Sequence, residues 1–379
     1  MDAACWPNRR GYGRFTRGLV TALAERDDLR LTLVADRPTA VQITPPAGVR
    51  LLSVDASVAA GEAASATGRR AALDLLRCGL AAARAGFDLF FYPSVSTYFP
   101  LVSRTPQVVT IHDAIPERLP ALVFPQRRLR LFWTLKVRWA IHAARRVLTV
   151  SPFAARQLRE QFRLPAHRVT VVGEAPDPVF GPAPQEVVGA VLEKYDLRPP
   201  YLLFVGGLSP HKDLPTLLRA TYRLLGDQPD LQLALAGEVE GDRFYTEPLR
   251  LRSLAEALGI AERLHWLGYV PDRDLAALYS GATAVVLPSL AEGFGLPVVE
   301  AAACATPVVA SDRSHAAEVI AAVRVFPAGD DAALAAAVRP LFDAATRREI
   351  GARGREQAAA YRWDAAAARA AAVFHEVRR

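Results

Sequence analysis

Two glutamates separated by seven residues, Glu292 and Glu300, and a distant lysine, Lys212, are the side chains in this 379-residue sequence best placed to do chemistry. The run TAVVLPSLAEGFGLPVVEAAACATPVVA (283–310) reads as a strand over 284–288, a glycine-bearing loop, a helix opening at Pro297 and a second strand over 307–310. Proline suits the first turn of a helix, where its missing N–H would have had no partner. Glycines ahead of that turn leave backbone N–H groups open beside the positive end of the helix dipole, which is what a phosphate needs. A carboxylate one turn into the helix has two acceptor oxygens for two vicinal hydroxyls. The plain alternative is that both acids only complement the helix dipole. With EGFGLPVVE intact between two apolar strands, the spacing points instead to a diphosphate on the amides of Gly293, Phe294, Gly295 and Leu296, and a diol on Glu300.

Lys212 closes a second strand–loop–helix unit, in which YLLFVGG is the strand, LSPHK the loop, and Asp213 with Pro215 begins the helix. A cation beside a helix N-terminus is unfavourable unless an anion is there too, which favours phosphate neutralisation over a merely solvated lysine. His211 is either an assistant or incidental. In RGYGRFTRGLV, Gly11 and Gly13 open a helix and permit close approach of backbone to a ligand. Thr16 stands where G-x-G-x-x-G needs its third glycine, which disfavours a nicotinamide site. His112, just after the strand of VVTIHDAIPERLP, is placed to meet a ligand; the alternative is a turn-stabilising His–Asp pair. Asp272-Arg273-Asp274 has a metal–nucleotide spacing, but an acidic first helical turn explains it, and no metal is expected.

These residues need strands to carry them. LRLTLVA, FDLFFY, PQVVTI, RRVLTVS and HRVTVV in the first half, and YLLFVGG, LQLALAG, RLHWLGY, TAVVLPS and TPVVAS in the second, are short apolar runs alternating with helical stretches. Such βα alternation implies an α/β protein of two doubly wound, Rossmann-like parallel-sheet domains, with ligands beyond the strand C-termini in a cleft. The proline-rich EAPDPVFGPAPQE within 174–200 reads as the linker. The expected domains are 1–180, completed by a helix in 361–379 that Asp364 would cap, and 181–360.

The net charge of +7 and pI near 9.6 favour anionic partners. FPQRRLRLFWTLKVRWAIHAARR holds Arg127, Arg128, Arg130, Lys136, Arg138, Arg145 and Arg146 among Phe132, Trp133 and Trp139. It reads as a packed helix with a solvated basic face or, alternatively, as an anionic membrane surface contact through 125–146. No recognised nucleic-acid motif is present, so no nucleic-acid partner is expected. Cys5, Cys78 and Cys304 have neither zinc nor C-x-x-C spacing and fit a reducing compartment. With no signal-peptide pattern and no long apolar run, the expected location is cytoplasmic, either free or, alternatively, peripheral on the inner membrane face.

Taken in this order, the motifs resemble those of the retaining GT-B glycosyltransferases of family four. The resemblance covers nearly the whole chain and is strongest over 201–319. It implies two facing domains, a C-terminal helix crossing back to the first, and a nucleoside-diphosphate sugar as donor substrate with no other cofactor. Catalysis would fall to Glu292, His112 and Lys212. The donor would be held by Gly13, Gly206, His211, Lys212, backbone near Tyr269, the 293–296 loop and, at the ribose, Glu300. The implied activity is metal-independent front-face transfer of a hexose, with GDP-mannose as first guess, to a glycan or lipid-linked saccharide in polysaccharide biosynthesis. The alternative is a non-catalytic, nucleotide-sugar-binding partner subunit with a degenerate first domain. Four departures accompany the resemblance. The strand expected before residues 2–6 is missing, which would bare a sheet edge. Gly207 and Leu208 stand where an arginine often follows, Ala305 replaces a common glycine, and the region after Glu318 looks short.

Overall fold

The computed structural model describes residues 1–55, 72–237 and 248–378. The chain divides into two units, residues 1–175 with 362–379, and residues 176–361. All strand pairings between the described strands are parallel, as the βα rhythm requires.

In the first unit β1 (Thr32–Asp36) pairs with β2 (Arg50–Val54), and β3 (Phe90–Tyr92), β4 (Gln107–Thr110), β5 (Arg146–Thr149) and β6 (Val169–Val171) follow in spatial order. The edge expected to be bare is covered where it matters. Residues 1–3 lie between β1 and β3: the Asp2 N–H donates to the Phe91 carbonyl at 2.8 Å, the Val34 N–H to Met1 at 2.8 Å, and the Ala3 N–H to Val34 at 2.9 Å. Backbone groups that would otherwise lack partners are thereby paired. The segment RLLSV of β2 was not anticipated; its strand is only half buried and lacks a long apolar run.

The helix Trp363–Arg378 packs on the helix Gly11–Ala24 of this unit. Ala366, Ala367, Ala370 and Ala371 are buried along it, and short side chains let two helices approach closely. Gly18 makes room for Trp363, since a Cβ there would sit 2.3 Å from the indole. Asp364 lies within the first turn and binds Arg362 and its own neighbour's N–H, so it does not cap the helix as expected.

The second unit holds one six-stranded sheet, β7 (Tyr201–Val205), β8 (Gln232–Ala236), β9 (Leu264–Gly268), β10 (Ala284–Leu287), β11 (Val308–Ser311) and β12 (Arg324–Phe326), in the order β12-β11-β10-β7-β8-β9. The short β12 was also missed; three residues carry too little pattern to read. Leu202, Phe204, Leu233, Leu235, Val286 and Val309 from this sheet pack with Leu217 and Leu224 of the helix Leu214–Leu224. The chain runs outward from β7 through β9, then returns to the other side of β7 to begin β10. Loops leaving β7 and β10 therefore diverge at the switch point, the place where doubly wound sheets bind ligands. Among the described residues, no helix is long and apolar enough to cross a membrane.

Candidate functional site

The two loops at that switch point are the two that the sequence singled out. After β7 the chain turns through Gly206, whose φ of +151° suits only glycine, and reaches a short turn at Pro210–Lys212. Gly237 backs this loop: a Cβ there would lie 2.0 Å from the Gly206 carbonyl oxygen. After β10 the chain runs through Pro288–Gly295 into the helix Leu296–Ala303, with Gly295 as its N-cap at a φ of +82°. The loops are joined by backbone, the Leu290 N–H donating to the His211 carbonyl at 2.8 Å.

Their side chains meet as well. Lys212 Nζ donates to Glu292 Oε1 at 2.6 Å, and the Ser289 hydroxyl donates to the same oxygen at 2.6 Å. Ser289 is held in turn through its carbonyl by the Ser311 hydroxyl, from the end of β11. Burial alone would raise the Glu292 pKa, but the Lys212 ammonium, the hydrogen bonds from Lys212 and Ser289, and His211 together outweigh it and hold the carboxyl below its ordinary value. The result is an ionised carboxylate with a cation at its side, at the entrance of a glycine-capped helix.

Glu300 sits further along that helix and is fully buried, with 0% exposure. The Tyr279 hydroxyl donates to its Oε2 at 3.0 Å. Tyr279 was not foreseen; an aromatic in the middle of DLAALYSGA looks like core, and only the tertiary contact reveals its second task. Phe294 is buried edge-on against Tyr361, with ring centroids 5.6 Å apart, and Leu296 is buried beside it. Tyr269 follows β9 and is 43% exposed. Of the acidic pair flanking Arg273, Asp274 binds Lys194 at 2.6 Å and the Tyr195 hydroxyl at 3.0 Å, and Asp272 opens its helix.

His112 and Gly13 belong to the other unit. The His112 ring is buried between Tyr12 and Phe15, both edge-on. Its Nε2 lies 2.9 Å from the Pro93 carbonyl oxygen and its Nδ1 lies 3.3 Å from Glu174 Oε1. Both nitrogens thus face acceptors, rather than the partner of a local turn with Asp113. Glu174 is buried too and was not anticipated, because it stands in a segment that reads as linker. Arg369 of the C-terminal helix braces that segment, its Nε donating to the Val172 carbonyl at 2.8 Å. Gly13 is required by its own chain: a Cβ would lie 1.8 Å from the Asn8 carbonyl oxygen.

Family models match both units, "Glycosyl transferases group 1" over residues 193–357 and "Glycosyltransferase Family 4" over residues 9–178. An O-antigen chain mannosyltransferase B of Escherichia coli is 33% identical over 260 residues, which covers 68% of this chain and 67% of that protein. The chain belongs to the group 1 glycosyltransferases. Another member, a D-inositol 3-phosphate glycosyltransferase of Catenulispora acidiphila, is 39% identical over 181 residues, 46% of this glycosyltransferase chain, but the match spans only 42% of its own length. The fold is GT-B. Sucrose-phosphate synthase of Thermosynechococcus elongatus superimposes with a TM-score of 0.76 at 21% identity, covering 97% of this chain and 94% of that one. Anabaena HepE, solved in complex with UDP and glucose, gives a TM-score of 0.72 at 18% identity, with 96% of each chain covered.

Proposed function

We propose that this group 1 glycosyltransferase moves a hexose, mannose as first choice, from a nucleoside-diphosphate sugar to a glycan or lipid-linked saccharide. In this reading transfer retains the anomeric configuration and uses no metal. The observation that carries the reading is the meeting of Lys212 and Glu292 at the switch point, beside the glycine-capped N-terminus of the helix Leu296–Ala303. The relative of O-antigen biosynthesis supports mannose, and the UDP-bound neighbour supports a nucleotide donor.

The chemistry follows from charge. Breaking the glycosidic bond to the diphosphate concentrates negative charge on the departing oxygen. Lys212 and the amides of Phe294–Leu296 stabilise that charge where it develops, which is electrostatic catalysis. When a diphosphate engages Lys212, Glu292 exchanges its cation for hydroxyls of the transferred sugar. Glu300, hydrogen-bonded by Tyr279, binds the ribose hydroxyls. Backbone near Tyr269 receives the base, Gly206 and His211 flank the phosphates, and His112 with Gly13 serves the sugar and acceptor side. A departing phosphate oxygen takes the acceptor's proton, so no protein nucleophile is required. The protein would act in the cytoplasm.

A thermal-shift panel tests the first half of this reading. GDP and UDP bind only the folded state, so the preferred one raises the melting temperature, by an amount set by about 2.7 kcal/mol at a hundred times Kd. Turnover tests the second half: GDP-mannose with the wild-type chain should release GDP, and Glu292→Ala should abolish release. Binding without turnover across a donor panel would select the non-catalytic partner-subunit alternative.

A further inference from the structure

We propose that Tyr279 is the positioning residue for Glu300 and, resting on the ribose contact of Glu300 proposed above, that its hydroxyl makes the site prefer ribonucleotides to 2′-deoxyribonucleotides. Tyr279 belongs to the helix Asp272–Gly281, which leads into β10, and Glu300 to the helix Leu296–Ala303, which follows it. Both side chains are fully buried. A phenylalanine would fill the space of Tyr279 with no polar atom to satisfy. The hydroxyl is the difference, and a buried hydroxyl is costly unless it is hydrogen-bonded. Here it donates to Glu300 Oε2 at 3.0 Å.

The tyrosine is itself held from several sides. The Thr306 hydroxyl donates to the Tyr279 carbonyl at 2.6 Å, and Phe180 meets the ring edge-on with centroids 5.8 Å apart. The Tyr201 hydroxyl, from the start of β7, donates to the Leu278 carbonyl at 2.6 Å. Cys304, one turn beyond Glu300, is hydrogen-bonded to Ser280, the neighbour of Tyr279. The two helices are therefore tied to each other beside the Tyr279–Glu300 bond, and the donor hydroxyl has a fixed place.

What that place controls is the last torsion of the glutamate. Rotation about its terminal sp³–sp² bond is broad, with no sharp preferred angle. A fixed donor at one oxygen selects one plane for the carboxylate. Each carboxylate oxygen accepts more than one hydrogen bond, so the tyrosine does not displace a ligand. Two vicinal hydroxyls call on both oxygens at once and are matched only when the plane is right. A 2′-deoxyribose presents one hydroxyl and gains little from a fixed plane. Discrimination between the two sugars thus depends on Tyr279 as well as on Glu300.

The experiment measures Kd by calorimetry for the full chain with GDP and UDP, each beside its 2′-deoxy form. With the wild type, the ribose form of the preferred nucleotide should bind tighter by about tenfold or more, since a site built for a hydroxyl rejects a ligand that lacks it. Glu300→Ala should abolish that ratio. Tyr279→Phe should reduce it to about threefold or less, with most of the loss on the ribonucleotide. Tyr201→Phe is the control: it deletes the same buried atom from the same helix contact, but at Leu278 rather than Glu300. It should lower the melting temperature about as much as Tyr279→Phe and keep the wild-type ratio. If Tyr279→Phe weakens both forms by one factor while Glu300→Ala still abolishes the ratio, the positioning role is overturned and the ribose contact stands. Loss of the ratio in Tyr201→Phe as well would also overturn it, because any loosening of the helix would then suffice. A wild type with no preference would remove the ribose contact itself, and the role of Tyr279 with it.

Discussion

Lys212 Nζ and Glu292 Oε1 lie 2.6 Å apart, joining the loop after β7 to the loop after β10. The two groups are not equivalent, because Lys212 is 19% exposed while Glu292 is buried more deeply. Lys212→Ala therefore strands a carboxylate, at a cost of about 3 kcal/mol, whereas the K212M/E292Q double variant leaves no buried charge and costs less. Urea unfolding of the three proteins distinguishes these values. The sign with pH is fixed as well. The folded pKa of Glu292 is lowered, so its stabilisation is present above the ordinary carboxylate value and disappears as pH falls through the lowered one. A single variant less destabilised than the double would contradict the pairing.

Glu174 is expected to matter through His112. Glu174→Ala leaves a buried ring nitrogen without its partner, a loss of about 1–3 kcal/mol. Glu174→Gln retains a hydrogen-bonding group and should lose less. If His112 serves the transferred sugar, Glu174→Ala lowers kcat with little change in donor KM, and the loss is not additive with His112→Ala. Additive losses would mean that the two residues act independently.

Ala305 occupies a left-handed backbone conformation, with a φ of +58°. Alanine there costs roughly 1–2 kcal/mol relative to its normal conformations, offset in part by the greater chain entropy of glycine when unfolded. Ala305→Gly is expected to stabilise the protein by about 0.5–1 kcal/mol, measured by chemical denaturation. A destabilised variant would show that the strain is relieved elsewhere.

Glu117 gives a pH dependence of opposite sense. Burial pushes its carboxyl up to about 7, with Asp113 adding to the rise and the Trp133 N–H opposing it. A raised folded pKa means full stability below the ordinary value of 4.5 and a loss as pH climbs through about 7. The span amounts to about 3 kcal/mol. Glu117→Gln keeps an acceptor for Trp133 and removes the titration, so its stability relative to wild type should improve between pH 5 and pH 8. A constant difference across that range would contradict the assignment.

The ten strands read from the sequence share a feature that the two missed ones lack: an apolar run long enough to show in isolation. The residues of the loops after β7 and β10 were legible for a related reason. Glycines, a proline at the start of a helix and charged residues at strand ends are local signals, and Lys212, Glu292 and Gly295 each carry one. Glu174 and Tyr279 were illegible because their roles exist only through partners far away in the chain, His112 and Glu300. The basic helix was legible in composition but not in orientation. Only burial separates Lys136, Arg145 and Arg146, which serve the interior, from Arg127, Arg128 and Arg138, which do not.

The helix Trp363–Arg378 has an outcome for biogenesis. It packs against residues, among them Gly18 and Phe15, that are synthesised long before it. The leading half of the polypeptide thus waits for the trailing segment, and the intervening unit can mature on the ribosome before its elder neighbour does. Nascent chains halted ahead of residue 363 would display Phe15 and Phe91 to the solvent, a natural target for chaperones.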